Sequence, residues 1–290
     1  MHKYRSERTV VGIALAVPNL ESLSISRIDR NRTPKSAPTP ILSNLLSIPT
    51  LRHLGIQNTY LGDLPPLFSS ADVQCQRLES LEFGAFENAS PAENARWCTQ
   101  LIHRLGSHLR NVVLGSGINL TPIEPLSLPV LERVRLTPLF SPSLLPSTLR
   151  VLAAASDSLR HIHVECLTVD LEDVCEELSE CVEHVNGGPY NLKLRVVPAL
   201  ERDILLDPPL SSDCVPVASL DQNAQEALSR LEDAFTSAGT PISIIDSNVM
   251  QQADEQQDWD DLTVVDEAVT SMEMKGTTMA EDTWVQVGVW

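Results

Sequence analysis

The residues best placed to do chemistry in this chain are arginines, histidines and a lysine that alternate with apolar neighbours. Arg133 and Arg135 flank Val134, His161 and His163 flank Ile162, and Lys193 and Arg195 flank Leu194. In an extended strand, residues two apart point to the same face, so each pair presents two cationic or titratable groups side by side. Guanidinium groups fork onto carboxylate or phosphate oxygens, and imidazoles titrate near neutrality. The chemistry on offer is anion recognition, by an acidic or phosphorylated protein segment. The corresponding columns of earlier stretches are mixed: Ser22 and Ser24, His53 and Gly55, Ser80 and Glu82, Asn111 and Val113. Of these, His53 and Glu82 join the candidate contact residues. The plainer alternative is a solvated charged face that balances the acidic stretch at 171–184.

Other chemistry finds little support. His161-x-His163-x-x-Cys166 invites a metal reading, because alternation puts both imidazoles on one face. Cys166 falls beyond the expected strand, however, and no second cluster has zinc-ligand spacing. No metal or other cofactor is expected. Neither is catalysis: there is no G-x-S-x-G, Walker loop, H-E-x-x-H, or G-x-G-x-x-G after a strand. The turn Gly115-Ser116-Gly117 has no base to serve its serine.

The elements that would position these side chains follow a recurring phrase: leucine, two residues, an aliphatic, one residue, an apolar residue. It starts at Leu20, Leu51, Leu78, Leu109, Leu131 and Leu159, at intervals of 31, 27, 31, 22 and 28 residues. Those intervals scatter around a strand plus a returning helix, the period of leucine-rich repeats. Leu192, Leu194 and Val196 alternate with Lys193 and Arg195 as a seventh strand, and Ile242–Ile245 supplies the last one. The spaces between carry helix signals. Ile41–Ile48 reads as a short helix ended by Pro49. Ser90, Pro91 and Glu93 form a capping-box start to a helix over 90–105, which Gly106 ends. Leu144–Ala155, Leu171–His184 with Asp170 as its cap, and a helix begun by Asp221 and ended by Gly239 and Pro241 complete the set.

The expected architecture is α/β. A leucine-rich-repeat-like solenoid spans residues 10–245, with a parallel sheet on its concave face, helices outside and a capping unit at its C-terminal end. Residues 1–9 are an N-terminal extension. Residues 30–40 are a basic, proline-rich insertion. Residues 246–290 are a disordered acidic tail, since they hold 11 acidic residues against Lys275 alone.

Charge separates body from tail. Residues 1–150 hold 15 Lys+Arg against 11 Asp+Glu, and residues 151–290 hold 6 against 28. A chain of net charge −18 is a poor general binder of nucleic acid, and no nucleic-acid partner is expected. An alternative use of the basic columns is an intramolecular contact with the chain's own acidic tail. The six cysteines show no paired spacing, which points to reduced thiols and a cytoplasmic or nuclear location. No apolar run approaches the roughly 20 residues of a membrane span, so no membrane association is expected. The run Val10–Val17 is a weak match to a signal peptide and reads better as the buried element before the first phrase.

Two islands interrupt the acidic tail. Asp258-Trp259-Asp260-Asp261-Leu262 and Asp282-Thr283-Trp284-Val285-Gln286-Val287 each set an aromatic and an aliphatic residue three apart among acids. They resemble the aromatic–x–x–aliphatic motifs that bind ubiquitin-like adaptors of autophagy by strand addition. Trp259, Leu262, Trp284 and Val287 are the tail-motif candidates. Docking as an edge strand on the chain's own sheet is the alternative.

The phrases at Leu51–Ile56, Leu78–Phe83 and Leu131–Leu136, with Pro18 and Pro49 preceding leucine phrases and Leu128-Pro129-Val130-Leu131, resemble the irregular repeats of fungal F-box/leucine-rich-repeat proteins. The resemblance covers roughly residues 10–200 and the repeat region only. Residues 1–19 are too short for the F-box, a three-helix module. The resemblance implies a substrate-receptor subunit of a cullin–RING ubiquitin ligase, as the alternative to a free-standing protein–protein recognition module.

Overall fold

The computed structural model describes residues 19–26, 45–57, 77–84, 91–115, 118, 120, 126–138, 140–185, 191–198, 215–240, 242–245 and 284–289. Residues 10–17, 30–40 and 246–283, on which several sequence expectations fall, lie outside them.

Each phrase becomes a strand. β1 (Leu20–Ser26), β2 (His53–Gln57), β3 (Ser80–Phe83), β4 (Asn111–Leu114), β5 (Arg133–Leu136) and β6 (His161–Leu167) are followed by β7 (Asn191–Val197) and β8 (Ile242–Ile245). These eight strands form one parallel sheet in chain order. The helices are α1 (Pro91–Leu105), α2 (Leu145–Ala155), α3 (Leu171–Val185) and α4 (Gln222–Ser237).

The leucine that opens each phrase explains the arrangement. Leu20, Leu51, Leu78, Leu109, Leu131 and Leu159 are all 0% exposed. Burial of a leucine side chain contributes about 1.5–3 kcal/mol, so this column anchors every strand at the same depth. The fourth-position residues Leu23, Leu54, Leu81, Val112, Val134 and Ile162 continue the same core. Into it pack Cys98, Leu101 and Ile102 of α1, Leu149 and Leu152 of α2, Leu171, Val174 and Leu178 of α3, and Leu228, Leu231 and Phe235 of α4. The helices therefore cover one face of the sheet, and among the described residues none covers the other.

Register is reinforced by the residue that follows each leucine. The backbone N–H of Arg52, Glu79, Arg110, Glu132 and Arg160 each donates to the carbonyl of its counterpart one strand earlier, at 2.8–2.9 Å. Along that column the side chains read Glu21, Arg52, Glu79, Arg110, Glu132, Arg160. Neighbours alternate in sign. Arg52 pairs with Glu21 at 3.9 Å and Glu79 at 3.8 Å, and Arg110 with Glu132 at 2.6 Å.

Local signals hold where they can be seen. The Asp221 carboxylate accepts from the Ala224 N–H at 2.9 Å and caps α4. At the other end Gly239 takes φ 77°. Gly239 N–H donates to Thr236 O, and Thr240 N–H to Phe235 O, a Schellman ending. Gly106 directly follows the end of α1 at Leu105, and a Cβ there would stand 2.7 Å from the Ser127 carbonyl oxygen. Two expectations need correction. Asp170 does not stand outside α3 as an extended cap; it ends a 3-10 turn, Thr168–Asp170, that runs into the helix. And Trp284–Val289, placed within a disordered tail, forms strand β9 antiparallel to β1 at the sheet edge. Its alternating apolar residues suit strand pairing. Ser90 and the Glu93 side chain of the capping box lie outside the described set.

Candidate interaction site

The uncovered sheet face over β5, β6 and β7 gathers the cationic residues singled out by alternation. Parallel register aligns Arg133 with His161 and His161 with Asn191. The next row aligns Arg135 with His163 and His163 with Lys193. Val134, Ile162, Leu192 and Leu194 face the core between them, which holds the polar residues outward.

Arg195 sits one row further along than alternation with the phrases had placed it. Its register partner is Glu165. Glu165 was not among the sequence candidates and is central to the site. Its side chain is 1% exposed, with Arg135 and Arg195 packed over it at 15% and 20%. Arg135 Nη2 donates to both carboxylate oxygens, at 3.0 Å and 3.1 Å. Arg195 Nη1 donates to Glu165 Oε1 at 3.3 Å. The signal was present in His161-x-His163-x-Glu165, where the third alternate residue continues the same face.

Burial and these charges set the protonation states. Burial tends to raise the Glu165 pKa, but Arg135, His163 and Arg195 outweigh it and hold the carboxyl below its ordinary value. His163 is pushed down to about 4, first by burial and then by Arg135, Arg195 and Lys193, against an opposing pull from Glu165. At neutral pH His163 is therefore an uncharged member of the cluster. The site carries four cations, Arg133, Arg135, Lys193 and Arg195, against one carboxylate. Arg135 and Arg195 are both bound to that carboxylate, while Arg133 and Lys193 are half-buried on the same face.

Other candidates lie elsewhere. Glu82 aligns with Gly55 on one side and Val113 on the other, two strands or roughly 10 Å from Arg135. Its Oε2 lies 3.4 Å from where a Gly55 Cβ would stand, and Ser24 Oγ lies 2.9 Å from that point. Gly55 thus leaves room for its neighbours' side chains. His53 aligns with Ser22 and Ser80, and its Nδ1 is buried without a hydrogen-bond partner among the described residues. Burial, followed by Arg52, lowers its pKa against the pull of Glu79 and Glu21. Both continue the same register rows on earlier strands: His53 lies in the row of Arg133, three strands away, and Glu82 in the row of Arg135, two strands away. Trp284 and Val287 are in β9, paired with Ser26 and Leu23 at the far edge of the sheet; Trp259 and Leu262 lie outside the described residues.

His161 and His163 point away from Cys166, which belongs to the core. Among the described residues no group of three His, Cys, Asp or Glu side chains could hold a metal ion. Cys98, Cys166, Cys175 and Cys181 are unpaired and buried. Burial, first among the causes, pushes Cys175 and Cys181 up to about 12 and raises Cys98 and Cys166 as well. Thiols so disposed are poor nucleophiles and poor ligands. No described helix is long and apolar enough to cross a membrane.

No protein-family model matches the chain, and no curated protein matches it in sequence.

Proposed function

We propose that the chain is a non-enzymatic recognition module, a leucine-rich-repeat-like solenoid whose uncovered sheet face binds an acidic or phosphorylated protein segment. The observation that carries this reading is the alignment of Arg133, His161 and Asn191 in one row beside Arg135, His163 and Lys193 in the next. A segment laid across these strands meets Arg135 and Lys193 two strand spacings, or about 10 Å, apart with uncharged His163 between them, a span that a run of carboxylates can bridge. Arg135 and Arg195 are held by Glu165 and frame the site. Arg133 and Lys193 are the outer contacts.

A fluorescent twelve-residue glutamate peptide carrying one phosphoserine tests the reading. Binding followed by anisotropy at low salt should weaken at least tenfold in the double variant Arg133→Glu, Lys193→Glu, and weaken with rising salt. Equal affinity of variant and native chain would leave the face as a solvated surface.

A further inference from the structure

We propose that the cationic face over β5–β7 is occupied in cis by the chain's own acidic segment, residues 246–283, which competes there with any partner. This rests on the recognition reading above and names an occupant for the same site.

The argument starts from where that segment begins and ends. Ile245, the last residue of β8, is the register partner of Arg195, so the acidic segment is tethered one strand from the site. The chain returns at Trp284 in β9, beyond β1. The segment therefore connects opposite edges of the sheet, separated by eight strand spacings or about 38 Å. Its 38 residues could reach more than about 100 Å if extended, so length permits a path over either face.

Charge chooses between the faces. Residues 246–283 hold 11 acidic residues and one lysine. On the helical side the path meets exposed Glu226, Glu232 and Asp233 of α4 with Arg230 among them, then Glu172, Asp173, Glu176 and Glu180 of α3, and only afterwards the exposed Arg150 of α2 and Arg96 and Arg104 of α1. On the sheet side it first meets four cations around Glu165, and Glu82 only two strands beyond Arg135. Attachment at Ile245 gives the acids an effective concentration of up to about millimolar over the neighbouring strands. Weak charge pairing then suffices for occupancy at low salt.

The chain has four lysines, Lys3, Lys35, Lys193 and Lys275, which makes zero-length carbodiimide cross-linking a clean readout on the full-length protein. Mass mapping at 50 mM salt should find Lys193 joined to acids between Asp254 and Glu267, with at least a fivefold loss at 500 mM. A second arm uses the phosphoserine–glutamate peptide. The variant D254N, E255Q, D258N, D260N, D261N should bind it about tenfold tighter than the native chain, as expected when a tethered competitor near millimolar is removed. Absence of the Lys193 cross-links, or equal peptide affinity of variant and native chain, overturns the cis contact. Failure of both chains to bind the peptide overturns the recognition reading as well, whereas binding that is equal in both overturns the cis contact alone.

Discussion

Arg135 and Glu165 face each other across β5 and β6, with the single nitrogen Nη2 within 3.1 Å of both carboxylate oxygens. The contact places an almost fully buried charge on a face of the sheet that no described helix covers. Taking a carboxylate out of water costs several kcal/mol, which only close pairing and full hydrogen bonding offset. Arg195 adds the second guanidinium. The cluster fixes the rotamers of two arginines at the centre of the candidate site.

Removing that carboxylate should therefore cost more than any exposed charge on the sheet. Glu165→Ala leaves two partly buried guanidinium groups without their anion, and the expected loss is about 3 kcal/mol in urea denaturation. Glu165→Gln keeps a hydrogen-bond acceptor and should lose less. Loss of under about 0.5 kcal/mol in Glu165→Ala would mean that the guanidinium groups find water as readily as they find Glu165.

The depressed pKa of His163 makes stability rise with pH on the acid side of neutrality. The unfolded chain takes up a proton near 6.5, while the folded chain resists it down to about 4. Between those values the unfolded state binds more protons, so the contribution is complete above 6.5 and is lost as pH falls toward 4. A shift of that size corresponds to at most about 3 kcal/mol. Glu165, also held below its ordinary value, adds a loss at lower pH in the same direction. Urea midpoints measured from pH 7.5 to 4.5 should fall steadily in the native chain and much less in His163→Gln. Parallel profiles for the two would remove His163 as the source.

Two glycines should respond to alanine for different reasons. At Gly106 the added carbon would meet Ser127 O at 2.7 Å and Leu128 Cδ2 at 2.8 Å, and overpacking of this kind costs about 1–3 kcal/mol. At Gly239 nothing lies within 4 Å, but φ is +77°, and the left-handed conformation costs a residue with a Cβ about 1–2 kcal/mol. Asparagine tolerates that conformation. Gly239→Asn should therefore be milder than Gly239→Ala in thermal melts, while Gly106→Asn should be at least as harmful as Gly106→Ala. The reverse order at either position would reassign its cause.

The strands were legible because a leucine opens each phrase and a second aliphatic follows three residues later. The seventh strand shows where that legibility stops. Pro189 stands where the opening leucine would be, so the column had no anchor, and Arg195 was assigned to the row that Lys193 occupies. Glu165 was missed for a related reason: it follows the six-residue phrase, where nothing apolar marks it as buried. Its burial comes from two arginines brought to it from 30 residues away on either side. Docking of Trp284–Val289 on the chain's own sheet was one of its two readings, but the choice of β1 was beyond reach, since any open sheet edge can accept an alternating strand.

The alternating column Glu21, Arg52, Glu79, Arg110, Glu132, Arg160 was visible all along, but its meaning depends on parallel strands in chain order. Its side chains are mostly exposed, so each pair is a surface pair, for which about 0–1 kcal/mol is ordinary. The column should matter more for register than for total stability. A parallel strand shifted by one residue would lose the leucine anchor and the opposite-charge neighbours together. Arg110→Ala should accordingly lower the urea midpoint only slightly. Arg110→Glu sets like charge beside Glu132 and, one strand the other way, Glu79; its midpoint should fall further at 20 mM salt and recover most of the difference at 500 mM. The exchange Arg110→Glu with Glu132→Arg restores one pair but creates like-charge neighbours at Glu79 and Arg160. It should not recover native stability at low salt, and full recovery would reduce the column to independent pairs.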